Sequence, residues 1–558
     1  MPFQLSPGVV VTERDLTSIV PSVATTAGGF VGAFQWGPVD QVVTVDSENT
    51  LVDRFNKPNA NVYESFFTAA NFLSYGNNLQ VIRVVDKGVA KNAIANASAN
   101  AVLITNEDTY LTTYSAGQAN IGGFAAKYPG ALGNSLRVSM ADGNTFSSWQ
   151  YAAQFDGDPN SSAYTSALGG AHDELHVIVI DEDGAFTGVP NTVLEKFSYL
   201  SKASDAKNAD GSSAYYKQAI NDGSKYVWWM GHPATGTNWG SVAQSTTFAN
   251  LAANVSVSLS LGVSADSPTA GNVQTGLAMF ANDETYDISL LPLGNVNTAT
   301  ALYAINNIAE VRKDCVVFVS PELSDVLNQS GTEATNVTGF RDTLPSSSYA
   351  VMDSGWKYQY DRYNDVYRWI PLNGDMAGLA ARTDFTNDPW FSPAGFNRGQ
   401  VKNVVKLAFS PSKTDRDTLY KKSVNPVVSF PGQGTVLYGD KTMLSKPSAF
   451  DRVNVRRLFI VLEKAIATAA KFQLFEFNDA FTRAQFRNLV EPFLRDVQGR
   501  RGITDFKVVC DETNNTGEVI DRNEFAADIF IKPAKSINYI QLNFIATRSG
   551  ISFEEVGA

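Results

Sequence analysis

The sequence predicts a multidomain protein of α+β, mixed α/β class, and three features carry that reading. A strand–helix–strand pattern opens at residue 28. Two long amphipathic helices followed by strands fill the last third. The 558 residues are 44% hydrophobic and 18% charged, a globular composition with room for two to four cores.

The first two dozen residues read as an extended arm. Ser6-Pro7-Gly8 is a turn opener, Val9, Val10, Val11 and Thr12 have the β-branched content of a strand, and Pro21 interrupts before any helix forms. Such an arm is too short to bury its own apolar face. From Gly29 to Phe34 a buried strand is predicted. Val62, Phe66, Ala69, Ala70 and Leu73 then recur at helical spacing, with Gly76 as the stop and a strand over 79–85. Residues 88–127, rich in Ala, Asn, Ser, Thr and Gly, read as a surface excursion. Strands are predicted at 136–140, 176–180 and 316–319, and helices at 192–200 and 299–312.

In the last third, Val455, Leu458, Leu462, Ile466 and Ala469 form one stripe of a helix over 452–470. Phe486, Leu489, Val490, Phe493 and Leu494 mark a second helix over 480–497, which Gly499 ends. Strands follow at 506–510, 524–531 and 537–546, with a turn at Asn514–Gly517. The alternation from Ile537 onward is regular, and a short acidic tail ends the chain.

The net charge of -12 argues against a general nucleic-acid binder, which needs clustered positive charge. The charge is also uneven. Residues 395–558 hold 24 Lys+Arg against 18 Asp+Glu, and residues 1–394 hold 20 against 38, so the last third suits an acidic partner. No apolar run reaches the ~18 residues of a bilayer crossing, so no direct membrane insertion is expected, and no basic leader precedes an apolar segment. Cys315 and Cys510 sit in apolar runs as buried thiols.

No catalytic or metal constellation emerges, and no cofactor is called for. His172 and His176 are spaced i,i+4, but His176 opens a β-branched strand, where that spacing spans ~13 Å, and a surface position is expected. His232 is a turn residue. Asp181-Glu182-Asp183-Gly184 lacks the closing glutamate of a calcium loop and reads as a hairpin turn. The glycines of Pro431–Gly439 fit neither nucleotide fingerprint.

Long blocks of the sequence carry a resemblance. They are Trp356–Asp365 (WKYQYDRYND), Ala377–Asp384 (AGLAARTD), Ser392–Gly399 (SPAGFNRG), Val436–Thr442 (VLYGDKT), Phe450–Phe459 (FDRVNVRRLF), Asn478–Arg483 (NDAFTR), Asp521–Phe525 (DRNEF) and Ser536–Ile540 (SINYI). Leu5–Gly8, Phe34–Pro38 and Asn71–Gly76 agree at the other end. Together they resemble, in order, the tail sheath proteins of contractile phages of the T-even type. One departure is visible: the protruding domain that such proteins insert after the first α/β unit is truncated or absent near 88–127.

The resemblance implies a linking arm at 1–24, a middle α/β domain from 25–87 with 345–410, and an outer domain at 88–344. It also implies an inner, tube-facing domain at 411–535 and a linking strand and tail at 536–558. In such an inner domain, helices pack on a sheet that strands of neighbouring subunits complete. The strand-exchange candidates are Val9, Val10, Val11, Thr12, Ile537, Tyr539, Gln541 and Asn543. Arg452, Arg456 and Arg457 are candidates for facing the tube. The implied assembly is a homo-oligomer of hexameric rings stacked helically around a tail tube, between baseplate and tail terminator proteins. It would be built in the host cytoplasm, carried in the virion, and contract to drive the tube through the host envelope. A sheath from a phage-derived bacteriocin or secretion machine would share these features; a capsid or surface-array protein is the rival structural class, and a tail-associated hydrolase the rival enzyme.

Overall fold

The computed structural model describes residues 24–118, 120–233, 236–538 and 540–542. The chain divides into two compact units: a larger one of residues 24–389 with 393–456, and a smaller one of 390–392 with the described residues from 457 on.

The larger unit is built on a seven-stranded sheet. Its order is Val424–Asn425, Ala350–Asp353, Val316–Val319, Leu290–Pro292, Gly28–Gly32, Leu79–Arg83 and Val42–Val45. Every neighbouring pair is parallel except the last, an antiparallel edge. Strands covered on both faces read as continuous apolar runs, and Val316–Val319 is buried throughout. The predicted strand, helix and strand appear at Gly28–Gly32, Tyr63–Leu73 and Leu79–Arg83. Helix Asn373–Thr386 lies against Tyr63–Leu73 at close range: a Cβ on Gly374 would stand 2.4 Å from the Thr68 carbonyl oxygen, and one on Gly378 would stand 2.5 Å from the Tyr75 ring. Arg83 is buried. Its guanidinium donates to the carbonyls of Phe34, Gln35, Gly37 and Pro129, and burial draws its pKa down to about 10.

This sheet redraws the expected boundaries. Leu290–Pro292 and Val316–Val319 fall within the outer domain expected to reach residue 344, yet they pair side by side in the middle of the sheet. Val424–Asn425, expected in the inner domain from 411, pairs with Met352 and Asp353 at the sheet's edge. Pairing between strands distant in sequence leaves no local mark.

A second, four-stranded antiparallel sheet runs Thr192–Ser201, Glu174–Asp181, Leu136–Asp142, Val255–Ser258. The strands near 136 and 176 stand as predicted. Thr192–Ser201 does not: it is a ten-residue strand, not a helix. Its spacing tolerates either form, and the ladder to Glu174–Asp181, with its Val, Phe and Tyr content, decides for the sheet. Residues 88–127 also differ from expectation. Ile94, Ile104, Tyr110, Ile121 and Ala125 form a core with Trp228 and Met230, Tyr110 stacking on Trp228 at 4.2 Å. Partners a hundred residues away supply the apolar cover that local periodicity does not reveal. The helical run predicted at 299–312 is present, with π-type geometry over Ala304–Ala309.

In the smaller unit the two predicted helices are Val453–Ala470, whose residues from 457 belong here, and Ala480–Gly499. Asp479 caps the second by accepting from Thr482 N at 2.8 Å. Leu458, Leu462 and Ile466 meet Phe486, Val490, Leu494 and Val497, with Trp390, Ile503 and Cys510 closing the core. Strands Ile503–Val509 and Asp528–Pro533 pair antiparallel, each displaced by a few residues from the predicted span. The segment expected as a strand from Ile537 contains none among its described residues.

Candidate functional site

The surfaces that stand out are in the smaller unit. Its sheet has two strands among the described residues, so each carries one edge of main-chain groups without a ladder partner. Two-stranded ribbons are marginal alone and gain most from an added strand. Ile537, Ile540 and Leu542 follow in sequence, 82%, 77% and 71% exposed. Gln541 is also exposed. Val9, Val10, Val11, Thr12, Tyr539 and Asn543 lie outside the described residues.

A second surface escaped the sequence reading. Between the two helices and in the first turn of the second, Phe472, Leu474, Phe475, Phe477 and Phe481 are between 63% and 105% exposed. Phe475 has φ of 70°, the left-handed region that a bulky residue rarely adopts. An exposed apolar stretch of this kind marks an interaction surface. The signal was present: these five residues fall off both helical stripes, so neither core absorbs them.

The three arginines fare differently from expectation. Arg456 is 4% exposed and its guanidinium lies 4.4 Å from both the Tyr349 and Phe450 rings. Arg457 is 3% exposed. Neither is presented outward in the single chain. The helix turns these two positions inward, and the aromatic rings cover the Arg456 charge by cation–π contact. Arg452 is partly exposed and bonds Asp440 Oδ1 at 3.2 Å and the Tyr420 hydroxyl.

Elsewhere the chemistry is structural. His176 is buried, not on the surface. Its ring stacks on Phe155 at 4.3 Å; Nδ1 accepts from Tyr199 N, so Nε2 carries the proton and donates to the Gly157 carbonyl. Burial holds its pKa below the usual value. Both cysteines are buried thiols. Among the described residues no group of three or more His, Cys, Asp or Glu is placed to hold a metal ion, and no helix is long and apolar enough to cross a membrane.

The chain thus has a parallel-sheet unit and a helical unit with a two-stranded sheet among its described residues and an exposed apolar stretch. The comparisons give the class. The model of the phage tail sheath protein central domain matches residues 266–443, and that of the phage tail sheath C-terminal domain matches 445–547. The tail sheath protein of Vibrio phage KVP40 is 34% identical, and that of Enterobacteria phage T4 33%, each over 99% of this chain and 99% of the relative. The chain belongs to the phage tail sheath protein family, the structural subunits of contractile tails.

The 691 aligned positions with the KVP40 protein exceed the 558 residues here, so that relative carries residues this chain lacks. Among solved structures, the sheath tail protein Lin1278 of Listeria innocua shares the fold at TM-score 0.55 and 11% identity, covering 92% of this chain and 96% of that one. The contracted helical sheath of the anti-feeding prophage does so at TM-score 0.51 and 12% identity, over 97% and 99%.

Proposed function

We propose that this sheath subunit assembles as hexameric rings stacked in a helix around a tail tube, with residues from 457 on facing the tube and terminal segments linking neighbours. The observation that carries the proposal is the two-stranded sheet Ile503–Val509/Asp528–Pro533, whose outer edges have no ladder partner among the described residues. A strand from another copy, residues 9–12 or those from Ile537 on, would complete it by main-chain pairing. Each bond contributes about 0.5–1.5 kcal/mol net. Repetition at every junction makes a mesh in which rigid units turn while the linking segments hold.

The reading extends to the remaining parts. Residues 88–265 form the outward excursion, since the central-domain match begins at 266 and the strand at Leu290 belongs to the main sheet. The exposed loop Phe472–Phe481 is covered in the assembled sheath, because so much aromatic surface is costly to leave in water. Baseplate and terminator proteins bound the sheath, assembly occurs in the host cytoplasm, and contraction drives the tube through the host envelope. The phage relatives at 33–34% identity favour a virion over a phage-derived injection machine.

The test is removal of residues 1–24. The shortened chain is expected to keep its circular dichroism spectrum and melting temperature while forming no tubes in negative-stain images. Tubes at the yield of the full chain would refute linkage by this arm.

A further inference from the structure

Two lysine–aspartate pairs are enclosed in the larger unit, and their surroundings differ. Lys202 Nζ donates to Asp142 Oδ2 at 2.9 Å, the His172 carbonyl at 3.0 Å and the Ala249 carbonyl at 3.2 Å. Asp142 Oδ2 also accepts from Leu251 N, and Oδ1 from Asn144 N. Every hydrogen of that ammonium and both oxygens of that carboxylate are used.

Lys357 Nζ has two acceptors, Asp375 Oδ1 and the Lys402 carbonyl, both at 2.9 Å. Asp375 Oδ1 accepts in addition from the Tyr75 hydroxyl at 3.1 Å, whereas Asp375 Oδ2 is buried with no hydrogen-bond partner. Both side chains are 0% exposed. An ion pair this deep offsets its desolvation only when all donors and acceptors are satisfied. Here one ammonium hydrogen and one carboxylate oxygen are left over, and condensation would remove that oxygen with two of the ammonium hydrogens as water.

We propose that Lys357 and Asp375 condense to an intramolecular amide bond, a covalent staple between strand Trp356–Asp361 and helix Asn373–Thr386. A proton passes from the ammonium to Oδ2, giving amine and carboxylic acid. The Nζ lone pair bonds to Cγ while the Tyr75 hydroxyl donates to Oδ1, where charge develops. The Cγ–Oδ2 bond then breaks, and Oδ2 leaves as water with its own proton and a second one from nitrogen. No oxidant, reductant or other reactant is needed.

In the product the single amide N–H donates to the Lys402 carbonyl and the amide oxygen accepts from Tyr75, so no orphan remains. Burial favours the reacting forms: it lowers the Lys357 pKa against the pull of Asp375 and raises that of Asp375 against the pull of Lys357. It also raises that of Tyr75, which stays a donor. The staple does not depend on how subunits are linked.

Intact-mass measurement of the denatured full-length chain is expected to read one water below the sequence mass. Tandem spectra of a tryptic digest should show a branched peptide joining Lys357 to Asp375, uncut after Lys357, while Lys202 and Asp142 remain in linear peptides. Lys357→Met should restore the full sequence mass, and Asp375→Asn should lose ammonia in place of water. A wild-type chain at its full sequence mass, or a mass deficit located in any other peptide, would overturn the proposal without touching the assembly reading. The wild-type measurement decides even where a variant fails to fold.

Discussion

Gly374 shows at the scale of one residue how the larger unit is held together. It stands where helix Asn373–Thr386 approaches helix Tyr63–Leu73, and an added Cβ would meet a main-chain oxygen, Thr68 O, at 2.4 Å. Backbone cannot rotate aside as a side chain can. Gly374→Ala is therefore expected to destabilise by about 1–3 kcal/mol, read from denaturant unfolding, despite the better helix propensity of alanine. Asp353 makes a different prediction. It is buried, and desolvation pushes its pKa up to about 8, against hydrogen bonds from Ser320 and Gly355. Between the ordinary carboxylate value near 4 and about 8 the folded chain holds a proton that the unfolded chain has released. Stability from this group is full below that window and falls as pH rises through it. The melting temperature should drop from pH 5 to pH 9 more steeply in the wild type than in Asp353→Asn; equal slopes would remove Asp353 as the source.

Among the elements, the helices Val453–Ala470 and Ala480–Gly499 were legible because their apolar stripes repeat at the helical period and pack on each other within fifty residues. The strand Thr192–Ser201 was not, since its fate rests on a ladder to Glu174–Asp181 and not on its own spacing. The burial of Arg456 and Arg457 was hidden for a related reason: cationic residues on a helix suggest solvent, and of the two rings that cover Arg456, Tyr349 lies about a hundred residues away. The loop Phe472–Phe481 gives the sharpest test at this scale. Its aromatic side chains are exposed, so Phe475→Ser combined with Phe477→Ser should leave the melting temperature within about 0.5 kcal/mol equivalent of the wild type. The same change should reduce the yield of sheath polymers. A normal polymer yield with normal folding would show that assembly leaves this loop in water.

Across the whole molecule, class and family were legible from the sequence because long blocks such as Trp356–Asp365 and Phe450–Phe459 run in family order, while the domain boundaries were not, because Leu290–Pro292 and Val316–Val319 join a sheet begun at Gly28. Charge acts at this scale too. Each copy carries a net -12, with the excess of acid in residues 1–394, so bringing copies together concentrates like charge. Main-chain hydrogen bonds are neutral and hardly respond to salt, whereas repulsion between exposed carboxylates is screened as the Debye length falls from ~30 Å at 0.01 M to ~10 Å at 0.1 M salt. Raising salt over that range should therefore speed sheath polymerisation, followed by light scattering of the purified subunit. Attraction between the basic last third of one copy and the acidic remainder of the next works in the opposite sense. With every copy net acidic, repulsion outweighs that attraction, and polymerisation that slows with salt would show that paired opposite charges govern the lattice instead.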